Sequence, residues 1–294
     1  MSDGEQAGRI RRAESAVEPE PALESVTELL DETRAIAARY FFARGGEQGT
    51  RDKGAEGRGS SGSRAFDPVT EADTRIEAVL RAGIEERWPD DRIIGEEEGA
   101  SGAEDAARCW YLDPIDGTKA FVTGMAGWGT LIGVVEDGRA VAGWMDQPVL
   151  GETYRSVDGT AEVLRRGALV DAGAPEREEL RVSGCTELSD AVLYSTHPSM
   201  FDGSGLEYAA LAGAVRLGRY GGDCYAYCQL AAGRVDLVVE ATLGPHDIVA
   251  LIPIVEGAGG VIEGPGGQSP IAGGTVVAAA SPELAAQAWE ALGR

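Results

Sequence analysis

Apolar residues recur at three- and four-residue steps in two stretches near the start of the chain, residues 22–43 and 71–87. Because about 3.6 residues make one helical turn, this spacing predicts two amphipathic helices. Short apolar runs bounded by turn residues or charges follow, and they predict strands. The predicted strands cover residues 92–94, 109–112, 129–135, 138–146 and 152–157. Residues 155–174 alternate too weakly for an assignment.

From about residue 185 onward the pattern changes to an alternation of strands and helices. The predicted strands are 191–195, 215–218, 235–240 and 274–280, and the predicted helices are 206–214, 224–232, 246–257 and 282–292. Together with the first part of the chain, this order indicates a layered α/β fold with mixed sheets.

Composition along the chain predicts where the folded domain begins. Residues 1–21 are charged and nearly lack large apolar side chains, which predicts a disordered acidic tail. The remaining residues 22–294 are predicted to form a single domain of two halves, 22–180 and 181–294. Residues 45–66 are rich in Gly, Ser and charge, and they predict a mobile loop that carries Lys53.

Charge limits the classes of partner. A net charge of −23 over 294 residues argues against nucleic acids and anionic membranes, since binding them relies on basic surface. The same field repels a phosphorylated substrate unless bound cations reverse it locally. No apolar run approaches the roughly 20 residues of a membrane helix, and no signal peptide is visible, so we expect a cytoplasmic protein. The cysteines lack metal-binding spacing and are predicted to be reduced and structural: Cys109, Cys185, Cys224 and Cys228.

Candidate chemistry lies in three acidic clusters, residues 95–98, 113–118 and 246–247. Asp113-Pro114-Ile115-Asp116 forms a tight turn after a buried strand, so both carboxylates and the intervening carbonyl can point to one side. Such hard oxygen ligands suit Mg²⁺. Gly117 and Thr118 then open a short helix whose first N–H groups suit a phosphate oxygen. The clusters therefore predict a site for several Mg²⁺ ions beside a phosphate.

Each cluster alone also has an ordinary explanation. Asp, Pro and Gly are the default residues of surface turns, and a run of glutamates is usually a solvated loop. Asp247 and Asp73 each fit a favourable charge in the first turn of a helix, and Thr70 or Glu71 could cap the helix that contains Asp73. The order and spacing of the three clusters and Asp73 together favour a common site.

The combined motifs resemble those of the inositol monophosphatase superfamily. They are Gly95-Glu96-Glu97, Asp113-Pro114-Ile115-Asp116-Gly117-Thr118, and an Asp that opens a helix ending in Glu256-Gly257-Ala258-Gly259-Gly260. The similarity covers about residues 22–294. It implies alternating αβαβα layers, a Mg²⁺-dependent and lithium-sensitive phosphatase that acts on a small phosphorylated substrate, and a homodimer.

The resemblance also implies which residues bind the cations. Glu96, Asp113 and the Ile115 carbonyl match the ligands of a first Mg²⁺, and Asp113, Asp116 and Asp247 match those of a second. Glu96 matches a ligand of a weaker third ion, with Glu97 contributing through water. Two to three Mg²⁺ ions per site are therefore expected, and Mn²⁺ is an acceptable substitute.

Thr118, paired with Asp73, matches the residues that orient and deprotonate the attacking water, so Asp73, Glu96 and Thr118 are the predicted catalytic residues. The N–H groups of Gly117 and Thr118 are expected to hold the phosphate. Phosphoryl transfer depends on in-line placement and charge neutralisation more than on covalent chemistry, so no Cys or His nucleophile is required. In relatives a lysine of the first long loop swings toward the site, and Lys53 is the candidate here.

Within the superfamily the chain most resembles the histidinol-phosphate phosphatase branch. The stretches that carry this resemblance are 117–124 with 128–130, 146–152, 221–227 and 245–251. Ala120 and His246 stand where many inositol phosphatases have Asn and Trp. The branch implies hydrolysis of L-histidinol phosphate in histidine biosynthesis. Inositol 1-phosphate or another small sugar phosphate is the alternative, and a non-catalytic metal-binding regulatory protein is a more remote one.

The alignment with the superfamily places Asp223 and Glu240 where they face the leaving group. Two carboxylates there suit the ammonium and imidazole of histidinol, because charge-assisted hydrogen bonds are stronger than neutral ones. Asp223 equally fits a helix N-cap, and Glu240 a surface charge at a strand end. Arg219 could bridge either carboxylate or the phosphate. His246 fits either a substrate contact or a structural replacement for the usual Trp.

Overall fold

The computed structural model of the protein describes residues 19–43, 51–52, 68–166 and 176–294. Its helices are α1 (Pro19–Phe41), α2 (Glu71–Arg87), α3 (Thr118–Val122), α4 (Tyr208–Ala214), α5 (Asp223–Ala231), α6 (Pro245–Ile248), α7 (Leu251–Gly257) and α8 (Pro282–Ala291). Short 3₁₀ turns cover Leu188–Asp190 and Pro198–Phe201. Within the described ranges, none of these helices combines the length and the apolarity that a bilayer crossing needs.

The strands, in chain order, are β1 (Arg51–Asp52), β2 (Pro68–Val69), β3 (Arg92–Gly95), β4 (Gly99–Ser101), β5 (Arg108–Asp116), β6 (Gly129–Glu136), β7 (Arg139–Gln147), β8 (Glu152–Val157), β9 (Thr160–Arg165), β10 (Glu176–Glu179), β11 (Val192–Ser195), β12 (Leu217–Tyr220), β13 (Leu237–Leu243), β14 (Val261–Glu263) and β15 (Gly274–Ala279). Strands β1 and β2 form a separate antiparallel pair.

Two larger sheets organise the fold. The first has the order β10-β9-β8-β7-β6-β5-β3-β4 and is antiparallel except for the pair β3/β5. The second has the order β12-β11-β13-β15-β14, with β12, β11 and β13 mutually parallel and the other pairs antiparallel. Helices α1 and α2 pack on the outer face of the first sheet, α5 and α7 lie between the sheets, and α4 and α8 cover the second. The expected αβαβα layering is confirmed.

Each interface between layers has its own apolar core. The predicted apolar faces of α1 and α2 are buried against the first sheet, as Leu30, Ile76 and Leu80 illustrate with no exposed surface. Trp128 joins this core, also fully buried, among Phe41 and Phe121. Burial of this kind contributes roughly 2 kcal/mol for each large apolar side chain, so the helix pattern seen in the sequence is what holds the layers together.

Several boundaries differ from the predictions, and the reasons are local. Helix α1 begins at Pro19, inside the segment predicted as a disordered tail; residues 1–18 lie outside the described residues. Strand β1 falls within the predicted mobile loop, whereas Lys53 lies outside the described residues. The predicted helix over 246–257 is divided between α6 and α7.

Short or exposed strands account for the remaining differences. Strand β12 lies two residues later than predicted because all four of its residues are exposed and carry no buried-strand pattern. The three-residue strands β4 and β14 are too short to display an alternation of polar and apolar positions. Strands β9 and β10 fall in or beside the stretch that allowed no assignment.

Candidate active site

Three aspartates from distant parts of the chain converge where β5 ends. Asp113, Asp116 and Asp247 each offer a carboxylate oxygen, and these oxygens lie within 4.8 Å of one another. Asp113 and Asp116 come from a bulged end of β5, since the pairing with β6 shifts register between them. A bulge re-aims side chains that would otherwise point to opposite faces of a sheet. Asp247 arrives from the first turn of α6, where its carboxylate accepts the Gly244 N–H at 2.6 Å.

The surroundings of these carboxylates raise their pKa values and so disfavour their simultaneous ionisation. Burial raises the pKa of Asp113, and the charges of Glu96 and Asp116 raise it further. Burial likewise raises the pKa of Asp116, with Asp247 adding to the effect. The pKa of Asp247 is also raised by burial, while His246 opposes the rise. A set of hard, crowded carboxylate oxygens of this kind fits a divalent cation, which would favour their charged forms.

Glu96 belongs to the same electrostatic cluster. It begins the turn between β3 and β4, and its backbone N–H donates to the Leu112 carbonyl of β5 at 3.1 Å. Its charge contributes to the raised pKa values of Asp73, Asp113 and Asp247. Glu96 is therefore within electrostatic reach of Asp113 and Asp247, two of the three aspartates predicted as ligands.

Asp73 sits in the first turn of α2 and is almost fully buried. Its carboxylate accepts hydrogen bonds from the Thr70 N–H at 2.9 Å and the Thr70 hydroxyl at 2.6 Å, in the capping box of the helix. Burial raises the pKa of Asp73 to about 6, against these two bonds, so the group is mostly ionised at neutral pH. Thr118, its predicted partner, instead donates to the Ile115 carbonyl at 3.1 Å. The pairing of Thr118 with Asp73 stays a prediction.

Gly117 is required by its surroundings as well as by its backbone. It precedes α3 with a φ of 81°, in the left-handed region that favours glycine. A Cβ at this position would lie 3.2 Å from the Asp223 side chain and 3.2 Å from the Trp128 Cα. A side chain at this position would therefore crowd Asp223 and Trp128, whereas phosphate binding by the first N–H groups of α3 stays a prediction.

A pocket of about 340 Å³ opens directly beside this cluster. It is lined by Asp116, Asp247 and residues 117–119, and also by Thr196, Asp223 and Glu240. The volume suits a small metabolite. Asp116 ends β5 of the first sheet and Glu240 lies in β13 of the second, so both sheets contribute residues to the pocket.

Asp223 and Glu240, the predicted substrate-side carboxylates, both reach the pocket. Asp223 is the first residue of α5, with Gly222 as the N-cap, and the Thr196 hydroxyl donates to it at 3.3 Å. Glu240 is only 3% exposed and accepts from the Thr196 N–H at 2.9 Å and the Tyr227 hydroxyl at 3.0 Å. Burial raises the pKa of Asp223 and raises that of Glu240 to about 7. Neither a helix cap nor a surface charge describes them.

Arg219 and His246 lie outside the pocket lining. Arg219 is exposed on β12, the edge strand of the second sheet, and its guanidinium stacks 5.9 Å from the Tyr194 ring centre. All four residues of this strand are exposed, and a contact of Arg219 with substrate stays a prediction. The His246 Nε2 lies 3.6 Å from an oxygen of Asp247, so the ring adjoins the cation cluster, and its contact with substrate also stays a prediction.

Lys119, Thr196 and Tyr227 belong to the pocket but were not singled out from the sequence. The charge of Lys119 lowers the pKa of Asp223, and Thr196 donates to both substrate-side carboxylates. Signals for two of them existed. Lys119 directly follows the Asp-Gly-Thr segment, and Tyr227 stands four residues after Asp223, hence on the same face of α5. Thr196 follows an unremarkable strand and gave no signal.

Known proteins are similar to this chain in sequence and in fold. The chain is 40% identical over 197 residues to the chloroplastic bifunctional phosphatase IMPL2 of Arabidopsis thaliana, covering 66% of this chain and 54% of that protein, or about half its length. It is 36% identical over 197 residues to a histidinol-phosphatase of Chlorobaculum parvum, covering 66% of this chain and 71% of the relative. An inositol monophosphatase structure from Zymomonas mobilis matches with a TM-score of 0.74 and 32% identity, over 94% of this chain and 98% of that one.

These relatives are phosphatases, and their family is generally metal-dependent and acts on small phosphorylated substrates, in agreement with the carboxylate cluster. The model of the inositol monophosphatase family matches residues 23–293, nearly the whole described domain. The chain therefore belongs to the inositol monophosphatase family of phosphoric monoester hydrolases.

Proposed function

We propose that this protein is a Mg²⁺-dependent phosphomonoesterase that hydrolyses L-histidinol phosphate to L-histidinol and phosphate, a reaction of histidine biosynthesis. The observation that carries the proposal is that two further carboxylates, Asp223 and Glu240, line the same pocket as Asp116 and Asp247. A pocket that combines a cation-binding cluster with additional anionic groups suits an ester that carries both a phosphate and a cationic group.

The cations would be held by Glu96, Asp113, Asp116 and Asp247, together with the Ile115 carbonyl. That carbonyl accepts the Thr118 hydroxyl at 3.1 Å, and carbonyl oxygens are among the ligands that Mg²⁺ and Ca²⁺ accept. When bound, divalent cations lower the pKa of water and neutralise charge on the transferring phosphoryl group. They would also relieve the repulsion that raises the pKa values of the aspartates.

The chain's own groups would orient the reacting partners. Gly117 and Thr118 line the pocket at the start of α3, and their N–H groups would donate to phosphate oxygens. Lys119 lines the same pocket and adds a positive charge. Asp73, whose pKa of about 6 leaves it ionised near neutrality, would accept the proton from the attacking water, through the Thr118 hydroxyl once that side chain rotates from Ile115.

The leaving alcohol would be recognised by Asp223 and Glu240. One oxygen of Glu240 already accepts two bonds from Thr196. Among the described residues the other accepts from Tyr227 alone, which leaves a lone pair for a ligand donor. An ammonium or imidazolium that donates there would stabilise the ionised carboxylate, reversing part of the effect of burial. A neutral polyol would gain less from the same group.

Hydrolysis of inositol 1-phosphate or another small sugar phosphate is the second candidate. The similarity to an inositol monophosphatase structure supports it, at an identity close to that of the histidinol-phosphatase relative. A non-catalytic metal-binding regulator is a third reading, and the complete set of carboxylates argues against it.

The test is catalytic efficiency on L-histidinol phosphate and on inositol 1-phosphate at saturating Mg²⁺, for the wild type and for Asp223→Asn. Asn tolerates the left-handed backbone of Asp223, which has a φ of 42°, so the substitution adds no strain. We expect kcat/KM to fall about tenfold or more for histidinol phosphate, the equivalent of about 1.4 kcal/mol, and far less for the inositol ester.

Asp158→Asn is the matched control, since Asp158 is an exposed aspartate with a φ of 57° in a distant turn. It should leave both efficiencies unchanged. Equal losses on both esters with Asp223→Asn would refute the ammonium pairing. Absence of phosphate release from every small ester would favour the regulatory reading.

Three attributes complete the proposal. We propose that Mg²⁺ is the physiological cation, that Mn²⁺ can substitute for it and that Li⁺ inhibits the enzyme. We also propose that the protein forms a homodimer and is cytoplasmic. The first is tested by the cation dependence of phosphate release, the second by sedimentation, and the third by cell fractionation.

A further inference from the structure

The turn that carries Glu96 is held against helix α2 by hydrogen bonds to a buried carboxylate, that of Glu77. Glu77 has no exposed surface, and its two oxygens accept from consecutive backbone N–H groups of that turn. One oxygen accepts from Glu97 at 2.8 Å and the other from Glu98 at 3.0 Å. A charged acceptor that binds two adjacent N–H groups fixes both the position and the orientation of the turn.

Arg81 lies one helical turn further along α2 and extends these hydrogen bonds. We call Glu77 and Arg81 together the clamp. Its Nε donates to Glu77 at 2.8 Å, its Nη1 donates to the Ser101 hydroxyl at 3.0 Å, and its Nη2 donates to the Gly99 carbonyl. Arg81 is only 6% exposed. The pair therefore holds the first residues of β4 as well as the turn that precedes it.

The backbone just before the turn packs closely against Glu77 and Arg81. A Cβ on Gly95, the residue before Glu96, would lie 2.1 Å from the Glu77 carboxylate oxygen. The backbone at Gly95 is thus in direct contact with the clamp, and a glycine is required there for steric reasons.

Helix α2 also carries Asp73, one turn before Glu77, so both residues lie on the same face. A single rigid element thereby positions the buried acid at its N-terminus and the turn that presents Glu96. We propose that Glu77 and Arg81 are positioning residues that hold Glu96 in register with Asp73 and Asp113, and that they set the affinity of the site for divalent cations. This inference rests on the proposed function, because it requires that Glu96 binds a cation.

A purely structural role is the competing explanation. Buried ion pairs are weak evidence for stability, since well-packed apolar residues of similar volume often replace them without loss. Outer-shell partners of metal ligands differ, because their substitution typically weakens metal affinity about 10- to 100-fold. The two roles can therefore be separated by a variant that keeps stability and removes the hydrogen bonds.

The experiment uses the full-length protein, freed of metal, and measures Mn²⁺ binding by calorimetry without substrate. The main variant is Glu77→Leu with Arg81→Met, which removes both charges together. Glu77→Gln keeps one acceptor oxygen and serves as the conservative variant, which also covers the case in which the double variant does not fold. The control is Glu162→Gln, which removes the partner of another buried arginine, Arg155, in β8.

We expect Mn²⁺ to bind about 10- to 100-fold more weakly to the double variant, with an intermediate loss for Glu77→Gln and none for Glu162→Gln. The lost turnover should return as Mg²⁺ is raised, while KM for the ester changes little. Unchanged Mn²⁺ affinity in a folded double variant, or an equal loss in Glu162→Gln, would overturn the inference alone. Failure of the wild type to bind Mn²⁺ would instead overturn the proposed function on which it rests.

Discussion

Replacement of Glu240 by Gln should stabilise the metal-free protein by an amount that grows as the pH rises from about 4.5 to about 7 and is constant above it. Burial in β13 raises the pKa of this carboxyl from 4.5 to about 7. A rise of that size means that the ionised group is disfavoured in the folded protein by about 3 kcal/mol relative to the unfolded chain. Gln keeps an oxygen for the two Thr196 donors, and its amide can donate to the Tyr227 hydroxyl oxygen.

The direction of this pH dependence follows from the protons bound by the folded protein and by the unfolded chain. Between pH 4.5 and about 7 the folded protein holds the proton on Glu240 and the unfolded chain does not. The stability contributed by that proton is fully present below pH 4.5 and is lost as the pH rises through about 7. Gln does not titrate, so its advantage over Glu should be near zero in acid and grow to about 3 kcal/mol above neutrality.

Urea unfolding with a chelator present, from about pH 5 to about pH 8, gives the free energy of unfolding of both proteins. Glu104→Gln, in an exposed turn, is the control and should show no such pH dependence. A constant difference between Glu240→Gln and the wild type across this range would refute the reasoning, because it would mean that Glu240 ionises in the folded protein as it does in the unfolded chain.

Three further predictions concern the cation and phosphate side of the pocket. Gly117→Ala should lower the free energy of unfolding by about 1–2 kcal/mol, because an Ala side chain is strained in the left-handed backbone at this position. It should also reduce turnover strongly, because the new Cβ would contact Asp223. Gly124→Ala has the same backbone strain, at a φ of 76°, but open space around the new Cβ, so a similar loss of turnover there would contradict the contact argument. Asp247→Asn should reduce turnover on every ester by more than the roughly 10- to 100-fold typical of outer-shell groups, without lowering metal-free stability, since Asn still accepts the Gly244 N–H. Mg²⁺ at 100 times its Kd should stabilise the chelator-treated protein by about 2.7 kcal/mol in thermal unfolding, and an unchanged Tm at millimolar Mg²⁺ would contradict cation binding.

Much of the fold could be read from local patterns. The apolar faces of α1 and α2 and the runs that became β5, β6 and β7 each contain the period of their own secondary structure, so no information from elsewhere in the chain was needed. The acidic motifs were equally local, because the turn at Asp113–Asp116 places its two carboxylates through its own backbone. The sequence thus determined the main elements, the layered α/β class and the candidate cation ligands.

What the sequence alone could not determine is how distant side chains meet and how deeply each is buried. Glu240 could equally have been a surface charge, and only the packing of α5 against β13 buries it and gives it Thr196 and Tyr227 as partners. The position of β12 at the exposed edge of the second sheet, where Arg219 lies, was likewise visible only in the sheet order. The contact of Glu77 with the turn at Glu97 carried no signal, because the N–H groups that it accepts lie about 20 residues away in another element. Hydrophobic periodicity depends on a residue's neighbours in the chain, whereas the pKa of a carboxyl and its hydrogen-bond partners depend on neighbours in space.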